Sequence, residues 1–233
     1  MGKREYLIGL SLKYEGDYFK ILKALKNNEY VKEISIDNCI TIFDDNYPHC
    51  LLDLKYSPFV LYYKGDISLL NNKSIIGVVG SRKPFDYSLK ATEYVVNNNK
   101  DSIFVSGLAL GIDAKVHDYS DISIGVLGCG IDYIYPGANR FLYEKLTNKG
   151  LIISEYPSKV KPVGFHFPFR NRIIAALSNQ VYIMQLNERS GTMTTVNEAL
   201  ELGREIKVLP FPLFSDPNIY NNKLINEGAS IIE

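Results

Sequence analysis

The sequence predicts an α/β protein with a Rossmann-like, doubly wound, mostly parallel sheet and a short N-terminal helical appendage. Three observations predict it. From Ile75 onward, short continuous apolar runs rich in β-branched residues alternate with helix-patterned segments of about ten residues, the pattern of βαβ units. Several of those runs stop at small residues, as at Gly80-Ser81, Ser106-Gly107 and Gly128-Cys129-Gly130, which marks tight strand-to-helix turns. The 233 residues, 46% hydrophobic and 22% charged, suffice for one large core.

Taken in order, residues 1–40 form a reduced helical segment. Tyr18, Ile21, Leu22 and Leu25 are spaced for one helix face, with Lys20, Lys23 and Lys26 on the other. This piece is too short for a core of its own and is expected to pack on the main domain, residues 41–233. Ile42 to Pro48 reads as an extended or turn-rich lead-in, and Pro58 to Tyr63 as a strand closed by Lys64-Gly65-Asp66. Strands are then predicted over 75–79, 103–105, 122–127, 151–153, 180–185 and 206–209. The intervening helices are predicted over 87–97, 111–119, 138–148, 170–178, 192–202 and 219–227. In such a sheet, right-handed crossovers put ligands beyond the carboxyl ends of the strands, near the topological switch point.

Bulk composition narrows the function. A formal net charge of +0 means that any polyanion site is a local cluster of cations and not a basic coat. The three cysteines, Cys39, Cys50 and Cys129, lack metal-ligand spacing and read as reduced thiols of a cytosolic protein. No apolar run reaches the roughly 20 residues of a membrane span, and the N-terminus is no secretory signal, so no membrane partner is expected.

Five stretches carry chemistry. Gly80-Ser81-Arg82 ends the first long strand at a helix start, where backbone N–H groups and the helix dipole cradle anions and Arg82 adds a fork-shaped cation. Ser106-Gly107, with Ala109 and Gly111, lets a ligand approach the backbone or simply makes a tight turn. Asp113 and His117 share a helix face, and a structural hydrogen bond is the better reading of that pair than a metal site. Gly128-Cys129-Gly130 fails the dinucleotide fingerprint, because Tyr133 stands where the third glycine belongs.

The stretch Phe167-Pro168-Phe169-Arg170-Asn171-Arg172 is expected to open a helix near Pro168. Two arginines in a first turn oppose the dipole, which points to an external anion; the plainer reading is core aromatics with arginines paired to glutamates. Ser190-Gly191-Thr192 precedes a further helix and suits phosphate, while Thr195 with Glu198 fits a capping box. Neither a metal cluster nor a nucleophilic triad is evident, and no cofactor or catalytic residue is expected.

In this order, Gly80-Ser81-Arg82, Ser106-Gly107 through Asp113 with His117, Tyr135-Pro136 with Asn139, Phe167-Pro168 through Ala175, Ser190-Gly191-Thr192 with Thr195, and Leu224-Ile225 with Gly228-Ala229 closely resemble the DNA-processing protein A family (DprA, also called Smf). The lead-in around Tyr47-Pro48 and Val60-Leu61-Tyr62 fits as well, so the resemblance runs from about residue 42 to the end. It implies a Rossmann-like domain that binds single-stranded DNA without strong sequence preference and forms homodimers. It also implies protection of incoming DNA during natural transformation and help in loading the RecA recombinase.

Carried over by position, Gly80, Ser81, Arg82, Ser106 and Gly107 would line the strand-end pocket. Arg170, Asn171 and Arg172 would contact the DNA backbone, with Phe167 or Phe169 near a base, and Ser190, Gly191 and Thr192 would add to the interface. The sequence departs from the family pattern in its reduced N-terminal segment, the expected lack of a C-terminal winged-helix domain, and Pro210-Phe211-Pro212 where Pro-Gly is usual. The alternative is a nucleotide-binding protein or a nucleoside-monophosphate phosphoribohydrolase-like enzyme. For that enzyme Thr195 stands in the place of the catalytic glutamate, with Glu198 one turn away.

Overall fold

Ile76 and Val78 pack against Val95, Val96, Ile112 and Val116, whereas Ile75 and Val79 pack against Ile173 to Leu177, Val196 and Ala199. That alternation is a strand buried on both faces between two helical layers. The computed structural model describes every residue except Met1, Glu33, Arg189 and Pro217. Arg189, next to the Ser190 stretch, therefore lies outside the described residues.

Nine strands form one mixed sheet among the described residues: β1 (Cys39–Thr41), β2 (Val60–Gly65), β3 (Ile75–Gly80), β4 (Ile103–Ser106), β5 (Ser123–Val126), β6 (Leu151–Ser154), β7 (Gln180–Gln185), β8 (Glu205–Val208) and β9 (Ser230–Ile231). Their order is β1-β2-β6-β5-β4-β3-β7-β8-β9. β1 and β2 run antiparallel at one edge, and all pairs from β6 to β9 are parallel. The helices are α1 (Lys3–Lys13), α2 (Tyr18–Lys26), α3 (Asp86–Asn98), α4 (Ile112–Tyr119), α5 (Arg140–Lys149), α6 (His166–Leu177), α7 (Thr192–Glu201) and α8 (Asn221–Asn226). This is the predicted Rossmann-like α/β class.

The winding reverses at β3, which pairs in parallel with β4 on one side and β7 on the other. Beyond the ends of β3, β4 and β7 lies the switch-point crevice, and α4, α6 and α7 begin beside it.

Strands β1 and β9 lie outside the expected strands, and three helices depart from expectation. α1 lacks an amphipathic pattern because Leu7, Ile8, Gly9, Leu10 and Ser11 are all buried in succession. Leu7 and Ile8 join the apolar cluster of Val60, Tyr62 and Ile152, and the Tyr62 hydroxyl donates to Ser11 Oγ at 3.0 Å. α6 starts at His166, not 170, with Pro168 as its third residue. Proline is tolerated throughout a first turn because those N–H groups have no intrahelical partner. Arg170 and Arg172 therefore sit in the second turn, so the dipole argument does not apply to them. Thr195 lies inside α7, whose N-cap is Gly191, so it is not the first member of a capping box.

Candidate nucleic-acid interface

A crevice of about 790 Å³ opens at the switch point, between the turn after β3, the α6 N-terminal turns and the start of α7. Of the expected site residues, Gly80, Ser81, Arg82, Phe167, Arg170, Asn171, Ser190, Gly191 and Thr192 line it. Asp113, Tyr135 and Thr195 line it too.

Arg82 is an exposed cation of the β3 turn, as is the adjacent Lys83. Its guanidinium stands 5.4 Å from the centre of the Phe167 ring, and Tyr135 lies 5.5 Å from that ring on a tilted plane. The turn beneath is fixed from below: Ile112 N–H donates to the Ser81 carbonyl at 3.2 Å, and Lys83 N–H to Ser81 Oγ at 3.0 Å. A notch of about 60 Å³ adjoins the crevice, walled by Leu108, Leu127, Pro136 and Phe167. The mouth thus offers a mobile-length cation, an aromatic face and an apolar recess within a few ångströms.

Arg170 supplies a second cation from the floor, 4% exposed. It donates through Nε to Asn171 Oδ1 at 3.1 Å and through one terminal nitrogen to the Val126 carbonyl. Burial pushes its guanidinium down and the attraction of Asp113 opposes this, with Arg82 adding repulsion. Burial likewise pushes the Asp113 carboxyl up, opposed by the attraction of Arg170. Gly107 makes this close approach possible. A Cβ there would strike Asp113 Oδ2 and both terminal nitrogens of Arg170. On the sequence Asp113 reads only as a neighbour of His117, because its spacing from Gly107 carries no sign of the arginine.

His117 is fully buried, with Nδ1 2.9 Å from Ser123 Oγ and Nε2 2.5 Å from the Gly107 carbonyl. A carbonyl only accepts, so Nε2 carries the proton and Nδ1 accepts from the serine. Burial, the largest cause, holds the imidazole at about 4, far below its ordinary 6.5. The ring braces the Ser106–Gly107 turn.

At the other end, Asn171 donates to the Gly191 carbonyl at 3.0 Å and to Thr194 Oγ1 at 2.9 Å, tying α6 to the start of α7. The Thr192 hydroxyl donates to the Gly80 carbonyl at 3.3 Å, tying that start to β3.

Four expected residues are placed away from the crevice surface, among them Gly107, buried against Asp113 and Arg170. Ser106 is fully buried and donates to the Val78 carbonyl at 2.6 Å. Phe169 faces α2 instead, its ring 5.9 to 6.3 Å from those of Tyr18, Phe19 and Tyr56. Arg172 is 2% exposed and stacks 3.8 Å from the Phe169 ring. It donates to the Tyr56 carbonyl at 2.9 Å, the Phe169 carbonyl at 2.7 Å and Glu155 Oε1 at 2.6 Å. For Arg172 the plainer reading, an arginine paired with a glutamate, is the one the structure displays, while the half-buried Phe169 joins an aromatic cluster outside the crevice.

Residues 38–233 match the family model described as DNA recombination-mediator protein A. The chain is 38% identical over 201 residues to the DNA processing protein DprA of Bacillus subtilis, covering 84% of this chain and 68% of that one. It is 36% identical over 220 residues to DprA of Streptococcus pneumoniae, covering 92% and 76%. The crystal structure of DprA from Streptococcus pneumoniae superposes with a TM-score of 0.79 at 30% identity, covering 99% of this chain and 90% of that one. A structure of DNA processing protein A from Helicobacter pylori, described for its single-stranded DNA binding mode, gives 0.76 at 30% identity over 83% and 90%. With the family model spanning most of the chain and the fold shared throughout, this chain belongs to the DNA recombination-mediator protein A (DprA/Smf) family.

Proposed function

We propose that this protein binds single-stranded DNA without strong sequence preference, in the switch-point crevice, by stacking and phosphate contact and without catalysis. The observation that carries the reading is Arg82 poised 5.4 Å over Phe167 at the mouth of a crevice whose floor holds the buried cation of Arg170. The single-stranded DNA binding mode described for the Helicobacter pylori relative supports it.

A phosphate draws the Arg82 guanidinium, while an unpaired base lies on the Phe167 face or enters the notch beside it. Base–aromatic stacking is worth about 1–3 kcal/mol per base and is indifferent to base identity, which accounts for the lack of sequence preference. Arg170 cannot swing out, being anchored to Val126 and Asn171, so it acts as a fixed charge that needs no reordering when a phosphate arrives. Duplex DNA has no free base for the ring. Within the family's role, the protein would act as a cytosolic homodimer that protects incoming strands and helps load RecA recombinase in natural transformation.

Hydrolysis of a nucleoside monophosphate is the second reading, and the geometry favours it less. Glu198 is outside the crevice lining, and the carboxylate that does line it, Asp113, is buried beside Arg170.

Competition tests the proposal. A fluorescent oligothymidylate bound at low salt should be displaced by unlabelled single strands of mixed sequence and not by the same mass of blunt duplex. Equal displacement by duplex would contradict the base-stacking mechanism. Phe167→Ala should weaken single-strand binding by about 1–3 kcal/mol.

A further inference from the structure

Two buried hydroxyls beside the start of α7, Ser190 Oγ and Thr195 Oγ1, have no hydrogen-bond partner among the described residues. Buried hydroxyls are normally satisfied, because stripping one of water without a replacement is unfavourable. Both residues line the crevice, and Thr195 is 0% exposed. Ile174 and Leu186, which also line the crevice, are apolar and offer neither hydroxyl a partner.

Gly191, between them, adds a second sign. Its φ of −60° and ψ of −18° are ordinary right-handed helical values that any residue adopts. A Cβ there would meet nothing within 4 Å. Neither conformation nor packing within the protein calls for glycine at this position; what its hydrogen provides is close access to the backbone at the head of a helix of 10 residues. The turn is also held in advance, by Asn171 from α6 and by Thr192 to β3.

We propose that this turn is a subsite for a phosphate monoester, and that its occupant is the terminal phosphate of a strand lying in the crevice; the inference rests on the single-strand reading above. A monoester presents three free oxygens and carries a second negative charge near neutral pH, which suits two spare hydroxyls and the positive end of α7. An internal diester has two ester links and must carry chain in and out. Thr195, 0% exposed beside the apolar Ile174 and Leu186, suits a group that enters and stops. Arg82 and Phe167 then hold the nucleotides that follow the end.

The test compares three oligothymidylates, bearing a 5′-phosphate, a 3′-phosphate or hydroxyls at both ends, by competition against a labelled hydroxyl-ended strand. One phosphorylated end should bind about tenfold tighter than the hydroxyl-ended strand, the scale of one or two charge-assisted hydrogen bonds. That ratio should fall to about one in Gly191→Ala and in Thr195→Val, and persist in Thr195→Ser. Gly191→Ala should melt no lower than the wild type, because alanine fits the backbone there and restricts the unfolded chain.

Tight binding of the hydroxyl-ended strand with no gain from either phosphate overturns the subsite and leaves the single-strand reading standing. A ratio that survives intact in Gly191→Ala also overturns it. If no hydroxyl-ended strand binds, the single-strand reading falls. Deoxythymidine monophosphate bound by the wild type and lost in Gly191→Ala would then support the monoester site with a free nucleotide as its source.

Discussion

Arg172 donates to two backbone carbonyls and to Glu155 at 2% exposure, while Arg82, ninety residues earlier, is open to solvent above a single ring. Removing one partner of a buried, hydrogen-bonded ion pair strands the other, so Arg172→Ala should destabilise the fold by about 3–5 kcal/mol in urea unfolding. Arg82→Ala should change stability by less than about 0.5 kcal/mol, its effect falling on DNA binding. Comparable losses of stability in the two variants would show that the roles are misassigned. The sequence pointed to an Arg-Asn-Arg cluster but not to this division, for a geometric reason. Residues two apart on an α-helix differ by about 200°, so Phe167 and Arg170 share one side of α6 while Phe169 and Arg172 share the other. That reading requires the helix to begin at His166. Once Pro168 is taken to mark the first helical position, the rule has no helix to act on at Phe167.

At the level of elements, α4 and the β4 turn form one unit through His117. The folded state holds the imidazole neutral at about 4, whereas the unfolded chain protonates at 6.5. Between those values the unfolded state binds more protons, so this group's contribution is intact above 6.5 and is lost as pH falls toward 4. The loss amounts to about 3 kcal/mol. Asp113 works the other way: its raised value means the folded state takes up a proton first, offsetting part of the loss. Urea unfolding from pH 7 to 4 should therefore show a steeper decline in the wild type than in His117→Gln, and parallel curves would contradict the assignment. Gly107→Ala, which drives a methyl into Asp113 and Arg170, should destabilise the same unit by about 1–3 kcal/mol. The parallel strands were legible because burial on both faces leaves continuous apolar runs. β9, with two residues, carries no period to read, and α1 conceals its period by burying five residues in succession.

Across the whole molecule, the sheet reversal at β3 brings together stretches more than one hundred residues apart, from Gly80 to Thr195. Small residues at strand ends were enough to mark the turns, because that chemistry is local. Which cation reaches solvent, and which hydroxyls are left without partners, depends on helix phase and on long-range packing. No described helix is long and apolar enough to cross a membrane. With a formal net charge of +0, a general coat of cations cannot supply DNA affinity, so on the proposed reading it comes from the local cations of the crevice. The most direct measurement is binding of a fluorescent oligothymidylate by the wild type and by Arg82→Ala across a salt series. Each neutralised phosphate on a single strand contributes about −0.7 to the log–log slope, so two arginines predict a slope near roughly −1.4. Arg82→Ala should bind at least about tenfold more weakly with a slope near roughly −0.7. No binding by the wild type at low salt, or equal affinity and slope in the two proteins, would contradict the crevice as the DNA site.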